Sequence, residues 1–391
     1  MSRIEELISR LCPEGVEYKS IDEVCSKAGN IKWQSQVGNK FKYLDLTSVG
    51  RKTGKISEVQ IINSTNAPSR AQQIIKENDV IFGTTRPTLE RYAIVPPQYD
   101  NQICSTGFCV LRAQSSIIVP RFLYYLLTTS EFNHYVETHQ EGTSYPAISN
   151  SKVKEFQIPI PPLEIQNEIV SILDKFTLLE AELEAELEAR KKQYEHYRNA
   201  LLSFEGKDVE WKTLDLISTN NDSKRKPVKS SLREDGIYPY YGASGIVDYV
   251  DDYIFDGDFL LVSEDGANLL ARNTPIAFSI SGKTWVNNHA HVLKFEKYTT
   301  RRLVEIYLNS IDLTKFISGA AQPKLNKENL NKIPIPIPPF DEQERIVSIL
   351  DKFDALVNDI SIGLPAEIIA RRKQYEYYRN RLLSFKKRKD G

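Results

Sequence analysis

Turns between the predicted strands of this chain are rich in side chains that can hydrogen-bond with DNA bases. Arginine, asparagine and acidic side chains match the donors and acceptors of the major groove, and exposed cations match phosphate oxygens. The candidates in the first half of the chain are Thr84, Thr85, Arg86, Arg91, Ser105, Thr106, Thr143, Ser144 and Tyr145. Those in the second half are Lys224, Arg225, Lys226, Lys229, Ser244, Glu264, Asp265, Asn268, Asn287, Asn288, His289, Gln322 and Lys324. Such turns are also ordinary protein surface, so each residue is a candidate only.

Two short motifs resemble catalytic sites but lack a decisive residue. The run SGKT at residues 281–284 has Ala277 at the position where a phosphate-binding loop needs glycine. The run IPPF at residues 337–340 has Ile337 where an amino-methyltransferase needs a carboxylate or an amide. No dinucleotide-binding or zinc-protease motif occurs. We therefore predict that the chain has no catalytic residues and no metal site of its own.

The composition predicts a soluble globular protein of two domains. Of the 391 residues, 41% are hydrophobic and 26% are charged. No apolar run approaches the roughly 20 residues that span a bilayer, and the first residues predict an amphipathic helix rather than a signal peptide. We therefore expect a cytoplasmic protein. Cys12, Cys25, Cys104 and Cys109 form no CxxC pair, which predicts buried free thiols.

A net charge of −1 conceals an uneven distribution. Acidic residues are concentrated between Glu180 and Glu188, on a predicted helix whose acids can point away from DNA. Basic clusters occur at residues 223–229 and 386–389. Each is interpreted either as a phosphate-binding segment or as a solvated loop or tail.

Two segments of this sequence occur twice. Residues 158–176 return 177 positions later as residues 335–353, and residues 190–204 return 181 positions later as residues 371–385. The segment at residues 16–24 also matches residues 209–217, whereas the residues between the repeated segments diverge. This repetition of a whole domain with its helix indicates a pseudo-twofold molecule rather than a solenoid.

The repeated segments predict long helices with an apolar seam. Apolar and aromatic residues recur mostly at steps of three and four, and three prolines separate the first helix from the preceding domain. The predicted seam residues, which are also candidates for partner docking, are Ile169, Ile172, Phe176, Leu179, Leu183, Leu187, Tyr194, Tyr197, Ile346, Ile349, Phe353, Tyr375 and Tyr378. We expect the two helices to pair as an antiparallel coiled coil; the alternative is that each packs on its own domain.

The two helices are not expected to be equal. The second copy has Gly363 and Pro365 where the first copy is continuous, and we expect a kink or a break at Pro365. The first copy is continuous, and residues 179–189 read LEAELEAELEA, a stretch built from four-residue units. Removing four residues rotates the following part of a helix by about 40° and shifts it by about 6 Å. Such a helix would act as a ruler.

The predicted fold is α+β with four segments. Two variable α/β domains occupy residues 1–157 and 205–333, and the two repeated helical segments occupy residues 158–204 and 334–391. Each variable domain is expected to hold a mainly antiparallel sheet with short helices near residues 120–132 and 300–310. The N-terminal residues resemble the end of the first helix, so the arrangement is nearly circular.

The conserved segments as a whole resemble the DNA-specificity subunit of type I restriction-modification systems. The resemblance covers the full length and rests on QNEIVSILDKF, DEQERIVSILDKF, RKKQYEHYRNALLSF and RRKQYEYYRNRLLSF. It is nearest to the subgroup with four-residue repeats in the central helix. It implies a non-catalytic subunit whose variable domains each read one half of a split site in double-stranded DNA, while the helices set the spacer.

The resemblance also implies partners. Two methyltransferase subunits would dock on the helices, and motor-nuclease subunits would join through them. S-adenosylmethionine, ATP and Mg²⁺ would be bound by these partners. Since the two variable domains differ, the half-sites should differ too. A stand-alone methyltransferase or nuclease and a purely structural scaffold stay open as alternatives, separable by activity of the isolated chain and by exchange of the variable blocks.

Overall fold

The computed structural model of the chain describes residues 3–57, 59–207, 209–319 and 322–388. The chain forms two compact units. Unit 1 consists of Met1–Leu183 and Ile368–Gly391, and unit 2 consists of Glu184–Glu367. These divisions fall inside helices, whereas the predicted domain boundaries lie at the proline-rich segments before them.

The helices and strands are numbered in chain order. Those of the first half are α1 (Arg3–Leu11), β1 (Glu17–Ser20), α2 (Ile21–Val24), β2 (Cys25–Ser26), β3 (Phe41–Leu44), β4 (Gln60–Ile62), β5 (Ala71–Ile75), β6 (Val80–Gly83), β7 (Tyr92–Ile94), β8 (Gln102–Ser105), β9 (Phe108–Ala113), α3 (Pro120–Leu127), α4 (Ser130–His139), α5 (Asn150–Glu155), β10 (Gln157–Ile160) and α6 (Leu163–Leu201).

The second half repeats this order with some changes. Its elements are β11 (Glu210–Thr213), α7 (Leu214–Ile217), β12 (Thr219–Asn220), β13 (Asp235–Gly242), β14 (Gly245–Val250), β15 (Phe255–Asp256), β16 (Phe259–Ser263), α8 (Asn268–Ala271), β17 (Ala277–Ile280), β18 (Lys283–Val286), β19 (Ala290–Lys294), α9 (Tyr298–Ser310), α10 (Lys327–Asn331), β20 (Pro334–Ile337), α11 (Phe340–Asn358) and α12 (Leu364–Leu382).

Each variable block is enclosed by a pair of conserved strands. In unit 1, β1 pairs antiparallel with β10, with Glu17 opposite Ile160. In unit 2, β11 pairs with β20 in the same register, with Glu210 opposite Ile337. The repeated segments that precede and follow each block are therefore hydrogen-bonded to each other.

Both variable blocks contain two four-stranded sheets with matching strand orders. Unit 1 has β2-β9-β6-β7 and β4-β3-β8-β5, and unit 2 has β12-β19-β16-β17 and β14-β13-β18-β15. Within the described ranges, the strand pairs are antiparallel except β3 with β8 and β13 with β18, so the predicted mainly antiparallel character is confirmed. SGKT lies across a turn between β17 and β18, as predicted, with Gly282 at a φ of 76°.

Strand β6 shows how the two layers of unit 1 form. Ile81 faces the other sheet and joins a core with Leu44 and Val110. Its neighbours Val80 and Phe82 point the opposite way, toward the helices. This alternation follows from the two-residue period of a strand, and both faces are apolar because both are covered.

A conserved glutamine fastens each long helix to its block. The buried Gln166 side chain accepts from Val119 N and donates to the Pro161 carbonyl oxygen at 2.8 Å. The equivalent Gln343 donates to the Pro338 carbonyl oxygen at 2.9 Å. An unpaired buried amide is costly, so these bonds hold the proline-rich entry against the start of the helix.

The predicted helix seam recurs in both units. In unit 1, Phe176 of α6 stacks on Tyr378 of α12 with ring centroids 5.7 Å apart, and Glu180 accepts a 2.5 Å bond from Arg372. The chain therefore runs antiparallel in these two segments, as predicted. In unit 2, Phe353 of α11 stacks on Tyr197 at 5.4 Å. Earlier turns instead pack on the blocks, so both predicted arrangements occur along each helix.

The second copy of the helix is broken, but not at Pro365. Helix α11 ends at Asn358 and α12 begins at Leu364, which places Pro365 in the first turn of a new helix, where its missing N–H is tolerated. Gly363 lies at the break, and a Cβ atom there would be 2.4 Å from the Ala355 carbonyl oxygen. The glycine, rather than the proline, permits the close turn.

All four cysteines are buried and free, which confirms the predicted burial. Burial raises the pKa of Cys25 and of Cys109 to about 12, so neither is an ionised nucleophile at neutral pH. Across the residues that the structure describes, no helix is long and apolar enough to cross a membrane.

Candidate DNA interface

Several strands of unit 1 end on the same side of the sheets, where the turns that follow them lie close together. Strands β3 and β8 are parallel neighbours, so Leu44 and Ser105 end together, and Gly83 at the end of β6 pairs with Phe108. Thr84 N donates to the Gly107 carbonyl oxygen at 2.8 Å, and Arg86 N donates to the Pro146 carbonyl oxygen at 2.7 Å. We call residues 84–86, 105–107 and 141–147 loop cluster 1.

Unit 2 repeats this cluster with different side chains. Glu264 N donates to the His289 carbonyl oxygen at 2.8 Å, and Gly266 N donates to the Pro323 carbonyl oxygen at 3.2 Å. Leu325 N donates to the Glu264 carbonyl oxygen, as Ile148 N does to Thr84 in unit 1. We call residues 264–266, 287–289, 318–319 and 322–324 loop cluster 2.

The glycine and proline shared by the two copies belong to one turn in each cluster. Glu141 bridges Ala147, and Ser318 bridges Lys324, so each turn is a small closed hairpin. Gly142 has a φ of 92° and Gly319 a φ of 86°, a region that other residues rarely occupy. The prolines supply the carbonyl oxygens to which Arg86 and Gly266 are bonded.

Cluster 1 presents one arginine with an aromatic partner. Arg86 is exposed and has a left-handed backbone with a φ of 48°. Its guanidinium lies 4.7 Å from the centre of the Tyr145 ring, and that tyrosine is 72% exposed. A held, exposed guanidinium is suited to bidentate bonding with a base edge. Thr106, Thr143 and Ser144 are exposed beside it.

Three predicted base contacts in unit 1 face inward instead. Arg91 donates to the carbonyl oxygens of Leu46 and Val49, so its guanidinium supports a neighbouring loop. Thr84 is buried and donates to the Gly107 carbonyl oxygen at 2.9 Å, and the buried Ser105 accepts from Gly107 N at 3.1 Å. These residues shape cluster 1, and Thr85, half-buried, bridges Ala147.

Arg225 of unit 2 is likewise an internal residue. It donates to Glu264 Oε2 at 2.5 Å and to the Ala290 carbonyl oxygen at 2.9 Å, and it lies 3.4 Å from Asp222. Its side chain is only 13% exposed. The predicted DNA contacts by Arg225 and Glu264 are therefore replaced by an ion pair that supports loop cluster 2.

His291 completes this buried network. Its Nδ1 is 2.6 Å from Asp222 Oδ2 and its Nε2 is 2.7 Å from the Leu325 carbonyl oxygen. The Leu325 carbonyl oxygen can only accept, so Nε2 is the donor in that bond. Leu325 ends the hairpin of cluster 2, so the network fixes the hairpin to β19.

The carboxylates of the network remain ionised for a physical reason. Burial raises the pKa of Asp222, but its bonds with His291, Val292 N and Asn220 outweigh burial, so the pKa lies below its ordinary value. Burial also raises the pKa of Glu264. The bond from Arg225 and the nearby His291 charge lower it by more, so the pKa of Glu264 lies below its ordinary value.

Asp222, Glu264 and His291 also place three possible metal ligands within 4.8 Å of one another. The Arg225 guanidinium already donates to one carboxylate and neighbours the other, and both nitrogens of His291 are bonded. A cation would have to displace these partners, so the group fits an ion-pair network better than a metal centre.

The other candidates of unit 2 differ in exposure. Asn287 is buried and accepts from His289 N, and Asn268 bonds twice to the backbone of Thr274. His289 pairs with Asp265 at 2.9 Å, and Lys324 pairs with Glu264 at 3.1 Å. The exposed candidates are Lys224, Lys226, Lys229, Ser244, Asn288, His289, Gln322 and Lys324.

The predicted docking residues also divide by exposure. Ile169 and Ile346 are fully buried in the cores of their units and offer no surface to a partner. Leu179, Tyr197 and Tyr378 remain between about a third and two fifths exposed. The remaining seam residues are half-buried: Ile172, Phe176, Leu183, Leu187, Tyr194, Ile349, Phe353 and Tyr375.

The basic cluster at residues 386–389 is partly described. Lys386 and Arg388 bond to Val16 through their backbones, and Lys389 lies outside the described residues.

Comparison with known proteins now decides the family. Residues 13–189 and 207–370 match the family described as Type I restriction modification DNA specificity domain. The chain belongs to this family. The two matches of the specificity domain coincide with the two variable blocks and most of their conserved helices.

Individual relatives carry the same description. The chain is 45% identical over 184 residues to a putative type I restriction enzyme specificity subunit of Haemophilus influenzae, which covers 46% of this chain and about half (47%) of that relative. The chain is also 37% identical to the EcoR124I/EcoR124II specificity subunit of Escherichia coli. This alignment covers 68% of the present chain and 71% of the relative. A crystal structure of the HsdS subunit from Thermoanaerobacter tengcongensis aligns over 95% of this chain and 96% of that chain, with 25% identity and a TM-score of 0.53.

Proposed function

We propose that this chain is the DNA sequence-specificity subunit of a type I restriction-modification complex. The observation that carries the proposal is the recurrence of one loop cluster in both units, on equivalent strand ends and with the same backbone bonds, but with different side chains. A shared scaffold with variable turns is suited to reading two different half-sites. The family membership of the chain supports the same function.

Each cluster would combine base contacts with supporting residues. In cluster 1, Arg86 is the foremost base-reading residue, with Thr106 and the hairpin residues Thr143, Ser144 and Tyr145 beside it. In cluster 2, Asn288 and Gln322 are exposed at the positions that correspond to Thr106 and Tyr145, and His289 is exposed next to Asn288. Lys224, Lys226 and Lys229 lie on the segment that leads to this cluster, where phosphate contacts would position the unit.

We propose that the catalytic steps belong to partner proteins. Two methyltransferase subunits would bind S-adenosylmethionine and dock on the conserved helices, and motor-nuclease subunits with ATP and Mg²⁺ would join through them. The exposed seam residues Leu179, Tyr197 and Tyr378 are the best placed to contact a methyltransferase. A cytoplasmic location is part of this proposal, since the DNA and the partners are there.

The proposal is tested by single-molecule methylation sequencing of DNA from cells that express this chain with its cognate methyltransferase. Matched cells carry the methyltransferase alone. A split, asymmetric methyladenine motif should appear only when the chain is present. If the complex forms but no new motif appears, or if the same motif arises without the chain, the proposed function is wrong.

A further inference from the structure

A basic loop of unit 1 follows β3 and lies against loop cluster 1. In residues 45–57, the Leu46 side chain lies over two glycines at the strand ends. A Cβ atom at Gly83 would be 3.2 Å from Leu46, and one at Gly107 would be 3.1 Å from it. Arg91 donates to the Leu46 and Val49 carbonyl oxygens from below. The beginning of the loop is thus fixed at the edge where cluster 1 lies.

The loop has a defined internal structure. The Asp45 carboxylate accepts from Thr47 N at 2.8 Å and from Ser48 N at 3.0 Å. Gly50 N donates to the Lys55 carbonyl oxygen at 2.9 Å, and Val49 bridges Ile56. The loop therefore contains a small hairpin, closed between Val49 and Ile56.

Two cations of the hairpin have no acidic partner among the residues that the structure describes. Lys52 pairs with Glu90 at 3.2 Å, but Arg51 and Lys55 are exposed and have no ion pair with any residue that the structure describes. Arg70 is a third exposed cation without an ion pair among the described residues. Its backbone is tied to loop cluster 1, because Thr106 N donates to the Arg70 carbonyl oxygen at 2.9 Å. Arg70 and the hairpin are therefore tied to the same turns from two sides.

Unit 2 has no such hairpin at the equivalent position. Strands β13 and β14 are joined by the two-residue turn Ala243 and Ser244, and the acidic residues Asp251 and Asp252 precede β15 where Arg70 precedes β5. Its basic segment at residues 223–229 takes a different route, with Lys226 N bonded to the Val286 carbonyl oxygen.

We propose that residues 45–57 and Arg70 form a phosphate-binding rim for the half-site read by unit 1. This inference rests on the proposed function. Exposed cations without an ion pair in the described part of the chain lie here at the border of polar turns. This matches the arrangement in which phosphate contacts position a protein and turn residues read the bases. The rim is specific to unit 1, so the two half-sites are held by cations from non-equivalent parts of the two domains.

The test uses the complex of the full chain with its methyltransferase and a duplex that contains the methylated motif. Arg51→Ala/Lys55→Ala should raise Kd on the order of tenfold near 0.1 M salt and reduce the slope of log K against log salt by about 2. The loss should be equal for matched and mismatched duplexes, and the methylated motif should not change. Arg51→Glu/Lys55→Glu should enlarge the loss.

Lys40→Ala/Lys76→Ala is the matched control. Lys40 precedes β3 and Lys76 follows β5, so both exposed lysines lie at the opposite end of the same sheet. This variant should leave Kd and the salt slope unchanged. An equal loss in the control, an unchanged slope in the rim variant, or a changed motif would each overturn the rim. Failure of the unaltered complex to prefer the motif would instead contradict the proposed function.

Discussion

At the scale of single residues, exposure divides the polar side chains of the loop clusters into two groups. Arg86 and His289 face solvent, whereas Arg91, Arg225 and Glu264 form the internal bonds that hold the turns. The second group was not predictable from local sequence. Arg225 lies 39 residues from Glu264, and only the folded sheet brings them together.

Arg86→Ala should relax base preference at one position of one half-site by about 1 to 3 kcal/mol, because a bidentate contact would be lost. Methylation sequencing of cells that carry the variant complex measures this preference. Arg86→Lys retains the charge but not the paired donors, so it should relax the same position. A uniform loss of affinity across all sequences would identify Arg86 as a phosphate contact instead.

Asp222→Asn should destabilise unit 2 by about 3 kcal/mol at neutral pH, because it leaves the other members of a buried ion network with less compensation. Calorimetric unfolding of the two proteins measures the difference. The pKa of Asp222 is lowered in the folded state, so its contribution is present above the ordinary value of about 3.9 and is lost as pH falls through the folded pKa.

The difference between the two proteins should therefore shrink below about pH 4. Asp248→Asn is a suitable comparison, since that carboxylate pairs with Arg233 but is 39% exposed, and it should cost much less. A destabilisation by Asp222→Asn that stays constant down to acid pH would show that the charge of Asp222 is not what stabilises the network.

At the scale of elements, the helices and their entries were predictable because their signals are local. Steps of three and four predicted α6, and the prolines predicted its start near Leu163. The break in the second copy was misplaced by a few residues, since Pro365 is permitted in a first turn while Gly363 makes the close approach. The hairpin after β3 was missed, although its RKTGK run at residues 51–55 is a visible signal.

Deletion of residues 183–186 removes one LEAE unit from α6. A shortened helix should change the spacer between the half-sites and leave both half-site sequences unchanged, because the loop clusters are untouched. The methylated motif reports both quantities in one experiment. An alanine-rich replacement of the same four residues keeps the length and should keep the spacer. Altered half-sites in the deletion would contradict the ruler hypothesis.

At the scale of the whole molecule, two blocks with matching sheet orders and different turns are the main feature. Each block begins and ends in one pair of antiparallel strands, with Ser20 opposite Gln157 and Thr213 opposite Pro334. Paired residues in such strands have Cα atoms about 4.5 to 5.5 Å apart. The flanking segments are therefore held together by their own bonds, whatever lies between them.

Exchange of residues 21–156 for the equivalent block of a relative with a different target should replace one half-site and retain the other. Methylation sequencing of the chimaera gives both half-sites. Exchange of residues 214–333 is the reciprocal control and should replace only the second half-site. If either exchange left the motif unchanged, the chain would be a scaffold rather than the reader of the sequence.

Unit 1 is built from two separate segments of the chain, and this has a consequence for synthesis on the ribosome. This unit joins residues before Leu183 to the segment after Ile368, and Val16 forms a bridge with Lys387 while Leu383 enters the core beside Ile4 and Leu7. Unit 2 comes from one continuous stretch. A nascent chain can therefore complete unit 2 before unit 1. Until residues 368–388 emerge from the ribosome, apolar residues of unit 1 such as Ile4 and Leu7 lack part of their core. During that period, chaperones could protect this apolar surface.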